Sequence, residues 1–116
     1  MTFESKLIKG VHVVGDATIA APLPKSGTAA NTEAKVAAAA VVEMLAGRMP
    51  TEQVLSNTCY SLVTPDWGIS VTAVHTNPAA GFGTPQGSGG VSPAWRDDAF
   101  RKQESEIGRA SCRERV

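Results

Sequence analysis

Three short stretches of this chain carry side chains that could do chemistry. The first is Gly15 and Asp16, which follow an apolar run at residues 11–14. A ligand could approach the backbone closely at Gly15, and the Asp16 carboxylate could accept a hydrogen bond from a ligand hydroxyl at the carboxyl end of a strand. The same two residues suit an ordinary turn from a strand into a loop equally well.

The second stretch is residues 22–27, which precede a predicted helix. Free N–H groups at a helix start, together with the nearby ammonium group of Lys25, would give a positive spot. Such a spot can stabilise negative charge that develops on a reduced flavin. Taken alone, however, the residues favour a Pro/Gly connector with Ser26 as a helix cap.

The third candidate is Cys59, which lies among polar neighbours in a predicted hairpin. The chain has two cysteines, Cys59 and Cys112, and no CxxC pair, so they predict neither a disulfide framework nor a metal site. A lone cysteine is commonly a small buried apolar residue, while the polar neighbours would allow an accessible thiol. The two histidines suggest structural rather than catalytic roles, with His12 inside a strand and His75 solvated at a strand end.

Composition excludes several classes of function. Eleven Lys and Arg balance eleven Asp and Glu, with no basic run, which argues against nucleic-acid binding. The longest apolar run, residues 36–42, is far shorter than the ~20 residues that span a bilayer. No secretory signal is recognisable in this sequence.

The elements that would position these residues indicate an α+β fold. Residues 11–14 predict a strand buried on both faces, and residues 28–46 predict an apolar helix capped by Ser26 or Asn31 and stopped by Gly47. A β-hairpin is expected at residues 57–64 and 68–75, with a turn in which Gly68 tolerates positive φ. A Gly/Pro-rich loop follows at residues 77–93, and a charged helix begins near residue 94 and stops at Glu104. The small apolar helix has little to pack against in 116 residues, so we expect a fragment of a longer protein.

The final segment, residues 106–116, breaks from the rest of the sequence. When it is reverse-translated, it resembles a widely used sequencing adapter in one reading frame. We therefore expect a non-native tail. We predict three parts. Residues 1–50 form the end of a cofactor-binding domain, residues 51–105 form a truncated C-terminal domain, and residues 106–116 form the tail.

Taken together, these stretches resemble the C-terminal region of the flavoprotein subunit of flavocytochrome c sulfide dehydrogenase, within the two-dinucleotide-binding flavoproteins. The resemblance covers about residues 2–105. The most specific part is the hexapeptide at residues 57–62 with the hairpin that follows it. The other matching stretches are residues 2–5, 10–17, 24–27, 30–31, 68–71 and 88–93.

The resemblance implies an FAD-dependent enzyme of the periplasm that oxidises sulfide and passes electrons to a c-type cytochrome subunit. Gly15 and Asp16 match the segment that holds the ribityl chain of FAD. Cys59 matches the second cysteine of a redox-active disulfide beside the flavin. The segment near the isoalloxazine ring is matched by Pro24, Lys25, Ser26 and Gly27.

The sequence leaves two alternatives for the function open. One is a fragment of a sulfide:quinone reductase-like or NADH dehydrogenase-like flavoprotein, which would need a membrane-binding amphipathic end that is not visible here. The other is a non-catalytic module that docks on a partner through the hairpin and the Gly-rich loop. The sequence lacks the nucleotide-binding fingerprint and the first disulfide cysteine of the family, so we expect this polypeptide alone to be inactive.

Overall fold

In the part of the chain that the structure describes, the fold is α+β, as expected, with two helices and a three-stranded antiparallel sheet. A computed structural model of the chain describes residues 2–76, 85, 88–92 and 98–113. A 3₁₀ turn at Gly15–Ala17 precedes α1 (Gly27–Leu45), and the strands are β1 (Val54–Thr64), β2 (Trp67–Thr76) and β3 (Gly89–Val91). Helix α2 (Asp98–Arg113) follows. Most of the expected loop at residues 77–93 and the expected helix start at 94 lie outside the described residues.

Helix α1 has well-defined signals at both ends. The Ser26 hydroxyl accepts a hydrogen bond from the Ala29 N–H at 3.0 Å, which makes Ser26 the N-cap. At the other end Gly47 adopts a φ of +70°, and the N–H groups of Gly47 and Arg48 return to the carbonyls of Met44 and Glu43, respectively. This is a Schellman motif, which glycine favours because it has no Cβ. The predicted helix is confirmed to within one residue at each end.

The predicted hairpin is confirmed and is longer than expected. Strands β1 and β2 pair antiparallel across a two-residue turn, and the sheet order is β1-β2-β3. In the turn the Thr64 hydroxyl donates to Asp66 Oδ1 at 2.7 Å, and this hydrogen bond lowers the pKa of the Asp66 carboxyl. The register shifts between Leu62 and Thr64, next to the turn.

Gly68 is required for a reason other than the expected one. It lies in β2 and is not among the described residues with positive φ. A Cβ at this position would lie 2.4 Å from the carbonyl carbon of Glu104, because the backbone of α2 crosses directly over β2 here. Glycine is therefore required at position 68 because two backbones approach closely there, and not because of a turn conformation.

The hydrophobic core is small and lies where α1 meets β1 and the N-terminal segment. Its buried members are Phe3, Val36, Ala37 and Leu55, with Ala20 and Leu23 packed against them. Leu55 has no solvent exposure. This core fixes the start of β1 against the middle of α1.

The expected strand at residues 11–14 is wrong. The segment makes one isolated antiparallel bridge, between Glu4 and His12, and Val11, Val13 and Val14 are each more than a third exposed. Two backbone hydrogen bonds pair this segment with residues 3–5, but a strand buried on both faces also needs packed layers above and below it, which the described residues do not supply. His12 has the structural role expected, since its Nδ1 donates to the Thr2 carbonyl at 2.8 Å.

His75 is also placed differently from the expectation. It pairs opposite Leu55 in the hairpin and is 3% exposed, so it is buried rather than solvated. Burial disfavours the charged imidazolium and lowers the pKa of His75 from its usual value.

Helix α2 does not stop at Glu104 but runs to Arg113. Among the described residues of α2, the buried ones are Glu104, Ser105 and Gly108, none of them large and apolar, so no apolar pattern in the sequence indicates this part of the helix. Ser105 is fully buried, and Gly108 sits where a Cβ would lie 3.5 Å from Leu62 Cδ2. That residues 106–116 are a non-native tail stays a prediction.

We expect Gly68→Ala to lower the free energy of unfolding by about 1–3 kcal/mol, because the new methyl group would overlap backbone that cannot move independently. Urea unfolding followed by circular dichroism measures the change. Gly90→Ala is the matched control, since a Cβ there meets no atom within 4 Å. Equal stability of the two variants would contradict the close approach of α2 to β2.

We expect the chain to lose stability as the pH falls below about 6.5, the usual pKa of histidine. The folded-state pKa of His75 is lowered, so the unfolded chain binds a proton more readily and the folded state is penalised on the acid side of that value. The test is the urea midpoint of unfolding, measured at a series of pH values between 5 and 8. We expect the wild-type midpoint to fall towards acid pH more steeply than that of His75→Gln. His12→Gln is the control, and a wild-type profile that matches His75→Gln would show that His75 is not responsible.

Candidate functional site

The three stretches singled out in the sequence meet at the N-terminal end of α1. The ammonium group of Lys25 donates a short hydrogen bond to the backbone carbonyl of Asp16. Both side chains are exposed at this end of the helix. We use the term α1 N-terminal cluster for Gly15, Asp16, Lys25, Ser26, Asn57 and Cys59.

Gly15 is fixed against α1 by a buried carboxylate. Its N–H donates to Glu33 Oε2 at 2.6 Å, and Glu33 is 3% exposed. Gly15 has a φ of +74°, and a Cβ there would lie 3.5 Å from the Cβ of Ala30. The left-handed backbone turns the chain so that Asp16 follows at the solvent side of the helix end.

Cys59 is joined to the helix cap by the side chain of Asn57. The Ser26 hydroxyl donates to Asn57 Oδ1 at 2.5 Å, and Asn57 Nδ2 lies 3.4 Å from Cys59 Sγ. Asn57 is 3% exposed, whereas Cys59 is half-buried. The thiol therefore lies one amide group away from the first turn of α1.

Two threonines hold α1 along the edge of β1. The Thr28 hydroxyl donates to the Thr58 carbonyl at 3.0 Å, and the Thr32 hydroxyl approaches the Ser56 carbonyl at 3.3 Å. The Thr28 bond fills an acceptor on a strand edge that would otherwise be open. It also fixes the distance along β1 at which Cys59 meets the helix end.

The remaining predicted residues, Pro24 and Gly27, complete the helix start. Pro24 is half-buried, and Gly27 is the exposed first residue of α1. The Ser26 hydroxyl accepts a hydrogen bond from the Ala29 N–H, and the Ser26 carbonyl accepts one from the Ala30 N–H. The N–H groups of Gly27 and Thr28 come before the first intrahelical bond, so they are the two donors that a ligand at this end could engage.

The donors at this end of α1 fit a flavin. Two N–H groups, the positive end of the helix dipole and the Lys25 ammonium suit the pyrimidine edge of the ring, where negative charge collects on reduction. The exposed Asp16 carboxylate suits a hydroxyl of the ribityl chain. The roles of Gly15, Asp16, Pro24, Lys25, Ser26, Gly27 and Cys59 stay predictions.

Sequence reasoning missed the two buried polar residues that organise this cluster. Glu33 lies on the inward stripe of α1 with Ala29, Val36, Ala37 and Ala40, and a carboxylate at such a position signals a buried partner. Asn57 follows Leu55 at period two, on the buried face of β1. The spacing of apolar residues along α1 and along β1 therefore places Glu33 and Asn57 on buried faces.

A second concavity lies at the tip of the hairpin, away from the residues that were predicted to act. It has a volume of about 390 Å³, and the Arg101 guanidinium lies 4.6 Å from the centre of the Trp67 ring. A cation over an aromatic face is a common stabilising contact. The lining residues are Thr64, Asp66, Trp67, Asp98, Arg101, Lys102 and Arg109.

Neither a metal centre nor a bilayer-crossing helix occurs in the part of the chain that the structure describes. Within those ranges no three His, Cys, Asp or Glu side chains come together as metal ligands would. The helices described there are too short or too polar to cross a membrane.

Comparison with known families identifies the class of protein. A sequence model described as flavocytochrome c sulphide dehydrogenase, flavin-binding, matches residues 51–113, which is just over half of the chain. This range includes Asn57 and Cys59, whereas Gly15 to Gly27 precede it. The class is thus a flavoprotein of the oxidoreductase type, whose flavin is consistent with the expected FAD.

The chain belongs to the flavin-binding family of flavocytochrome c sulphide dehydrogenase. It is consistent with a C-terminal fragment of the flavoprotein subunit, as the resemblance of its motifs implied. Membership of a flavocytochrome family also points to a cytochrome as the partner.

We expect Glu33→Ala to lower the free energy of unfolding by about 1–3 kcal/mol, because the Gly15 N–H would lose its buried acceptor. Hydrogen exchange at the Gly15 amide should accelerate in this variant. Glu33→Gln, which keeps an acceptor oxygen, should recover part of the protection, and Glu52→Ala, at an exposed position, is the control. Unchanged exchange at Gly15 in Glu33→Ala would show that the carboxylate does not hold this turn.

Proposed function

We propose that the chain is the C-terminal part of an FAD-dependent sulfide dehydrogenase of the periplasm, which oxidises sulfide through a redox-active disulfide and delivers the electrons to a c-type cytochrome subunit. The observation that carries the proposal is the junction of Cys59, through Asn57 and Ser26, with the N-terminal end of α1. A thiol and an electropositive helix end meet there. A flavin-linked disulfide reaction needs both of these groups at one place.

In this proposal Cys59 is one sulfur of the disulfide, and the other cysteine is supplied by protein outside this sequence. Hydrosulfide attacks one of the two sulfurs. The disulfide bond breaks, a new S–S bond to the incoming sulfur forms a persulfide, and the other cysteine leaves as a thiolate with the bonding electron pair. FAD, when bound next to this thiolate, would supply a two-electron acceptor, which is the chemistry that links the disulfide to the cytochrome.

The residues of this chain orient the reactants. Lys25 and the N–H groups of Gly27 and Thr28 would bind the pyrimidine edge of the flavin and offset the negative charge of its reduced form. The Asp16 carboxylate would accept a hydrogen bond from the ribityl chain. The hydrogen bond from Thr28 on α1 to the Thr58 carbonyl on β1 keeps the Cys59 sulfur in register with this end of the helix.

We expect Cys59→Ser to abolish sulfide oxidation while leaving flavin content unchanged, when the chain is assembled with the N-terminal portion of the flavoprotein subunit. Serine keeps the size of the side chain but cannot form a disulfide. The measurements are sulfide-dependent reduction of cytochrome c and the flavin absorbance of the purified protein.

Cys112→Ser is the matched control, because Cys112 lies in the segment predicted to be a non-native tail, and it should keep full activity. Full activity in Cys59→Ser would refute the disulfide role. Loss of flavin from assembled wild-type protein would instead favour a module that only docks on a partner.

A further inference from the structure

We propose that Asn57 is a positioning residue that transmits the positive potential of the α1 N-terminus to the sulfur of Cys59. The inference deepens the proposed function, since it concerns the thiol assigned there to the disulfide. It depends on the direction of a chain of hydrogen bonds and on the burial of its central member.

When the sulfur is a thiolate, the hydrogen bonds run in one direction, from the helix to the sulfur. The Ala29 N–H donates to Ser26 Oγ at 3.0 Å, so the hydrogen of that hydroxyl is left to donate onward. Ser26 Oγ donates to Asn57 Oδ1 at 2.5 Å, and Asn57 Nδ2 donates to Cys59 Sγ at 3.4 Å. Each bond polarises the next donor, because hydrogen bonds in a chain reinforce one another.

Ser26 also fixes which way the Asn57 amide faces. An amide can be turned over without changing its shape, and its orientation is decided by its partners. Because the Ser26 hydroxyl needs an acceptor, Oδ1 must face Ser26, and the N–H donors of Nδ2 are then available to the sulfur. At 3% exposure Asn57 has little water to compete for these bonds.

The same amide can serve both protonation states of the sulfur. A Cys59 thiol can donate to Asn57 Oδ1, which lies 3.6 Å from Sγ, and a thiolate can accept from Nδ2. Asn57 therefore holds the sulfur in one place before and after the disulfide is broken. It also offers a donor to the negative charge that appears on Cys59 when the bond opens.

The test measures the rate at which iodoacetamide alkylates Cys59 in the 116-residue chain, in a Cys112→Ser background so that one thiol remains. Asn57→Asp keeps the shape of the side chain but replaces the donor by a negatively charged oxygen next to the sulfur. We expect it to slow alkylation at neutral pH by about tenfold, because the reagent attacks the thiolate.

Asn31→Asp introduces the same charge at an exposed position of α1 and should stay within about twofold of the parent rate. Circular dichroism verifies that each variant is folded. An Asn57→Asp rate equal to that of the parent overturns the proposal. Because the added carboxylate also repels the thiolate directly, Ser26→Ala is measured in every case, since it interrupts the same hydrogen-bond chain one step earlier without adding a charge. A slower rate in Ser26→Ala supports the proposal, and an unchanged rate refutes it.

The assay contains no flavin, no sulfide and no disulfide, so its outcome is separate from that of the proposed function. Slow alkylation of both Asn57→Asp and Ser26→Ala would support the role of Asn57 even if Cys59→Ser retained sulfide oxidation in the assembled protein. Conversely, if Asn57→Asp reacted at the parent rate, the role proposed for Asn57 would be refuted even though Cys59→Ser had lost sulfide oxidation.

Discussion

The hydroxyl of Ser26 is the group on which the arrangement of this protein depends most. It caps α1 by accepting from Ala29 and, with its own hydrogen, binds Asn57 on β1. The Ser26 side chain thus sets where α1 begins and how β1 packs against the first turn of the helix. The apolar core that the described residues form beneath is small, and polar contacts add to the attachment of α1 to β1.

The contacts around Ser26 form a consistent set. Thr28, in the first turn of α1, donates to a carbonyl on β1, and the hydroxyl of Thr32, in the second turn, lies 3.3 Å from another. Glu33 accepts a hydrogen bond from the turn at Gly15. Lys25 is tied to the backbone of the same turn. Each contact brings a separate part of the sequence to the same end of the helix, which is why residues 15–16, 24–27 and 57–59 form one cluster although they are far apart along the chain.

Local sequence signals were sufficient to predict part of this structure. The bounds of α1 follow from Ser26 and Gly47, and the hairpin follows from alternation around a turn, because both kinds of signal act within a few residues. The strand expected at residues 11–14 does not form because burial on both faces depends on layers packed above and below it, which no local run reveals. Gly68 and His75 were misjudged for the related reason that α2 and the core lie far away in sequence.

The candidate site shows the same division between local and long-range information. Its individual residues could be selected by chemical type, and the resemblance to a flavoprotein family assigned their roles. What the sequence did not predict is the connection between Ser26 and Cys59, because it passes through Asn57, a residue that looks like any polar neighbour of the cysteine. Asn57 differs from those neighbours in being buried, and a buried amide must find partners for both of its ends. The helix cap on one side and the sulfur on the other are those partners, so the position of the thiol follows from the hydrogen bonds that Asn57 must make.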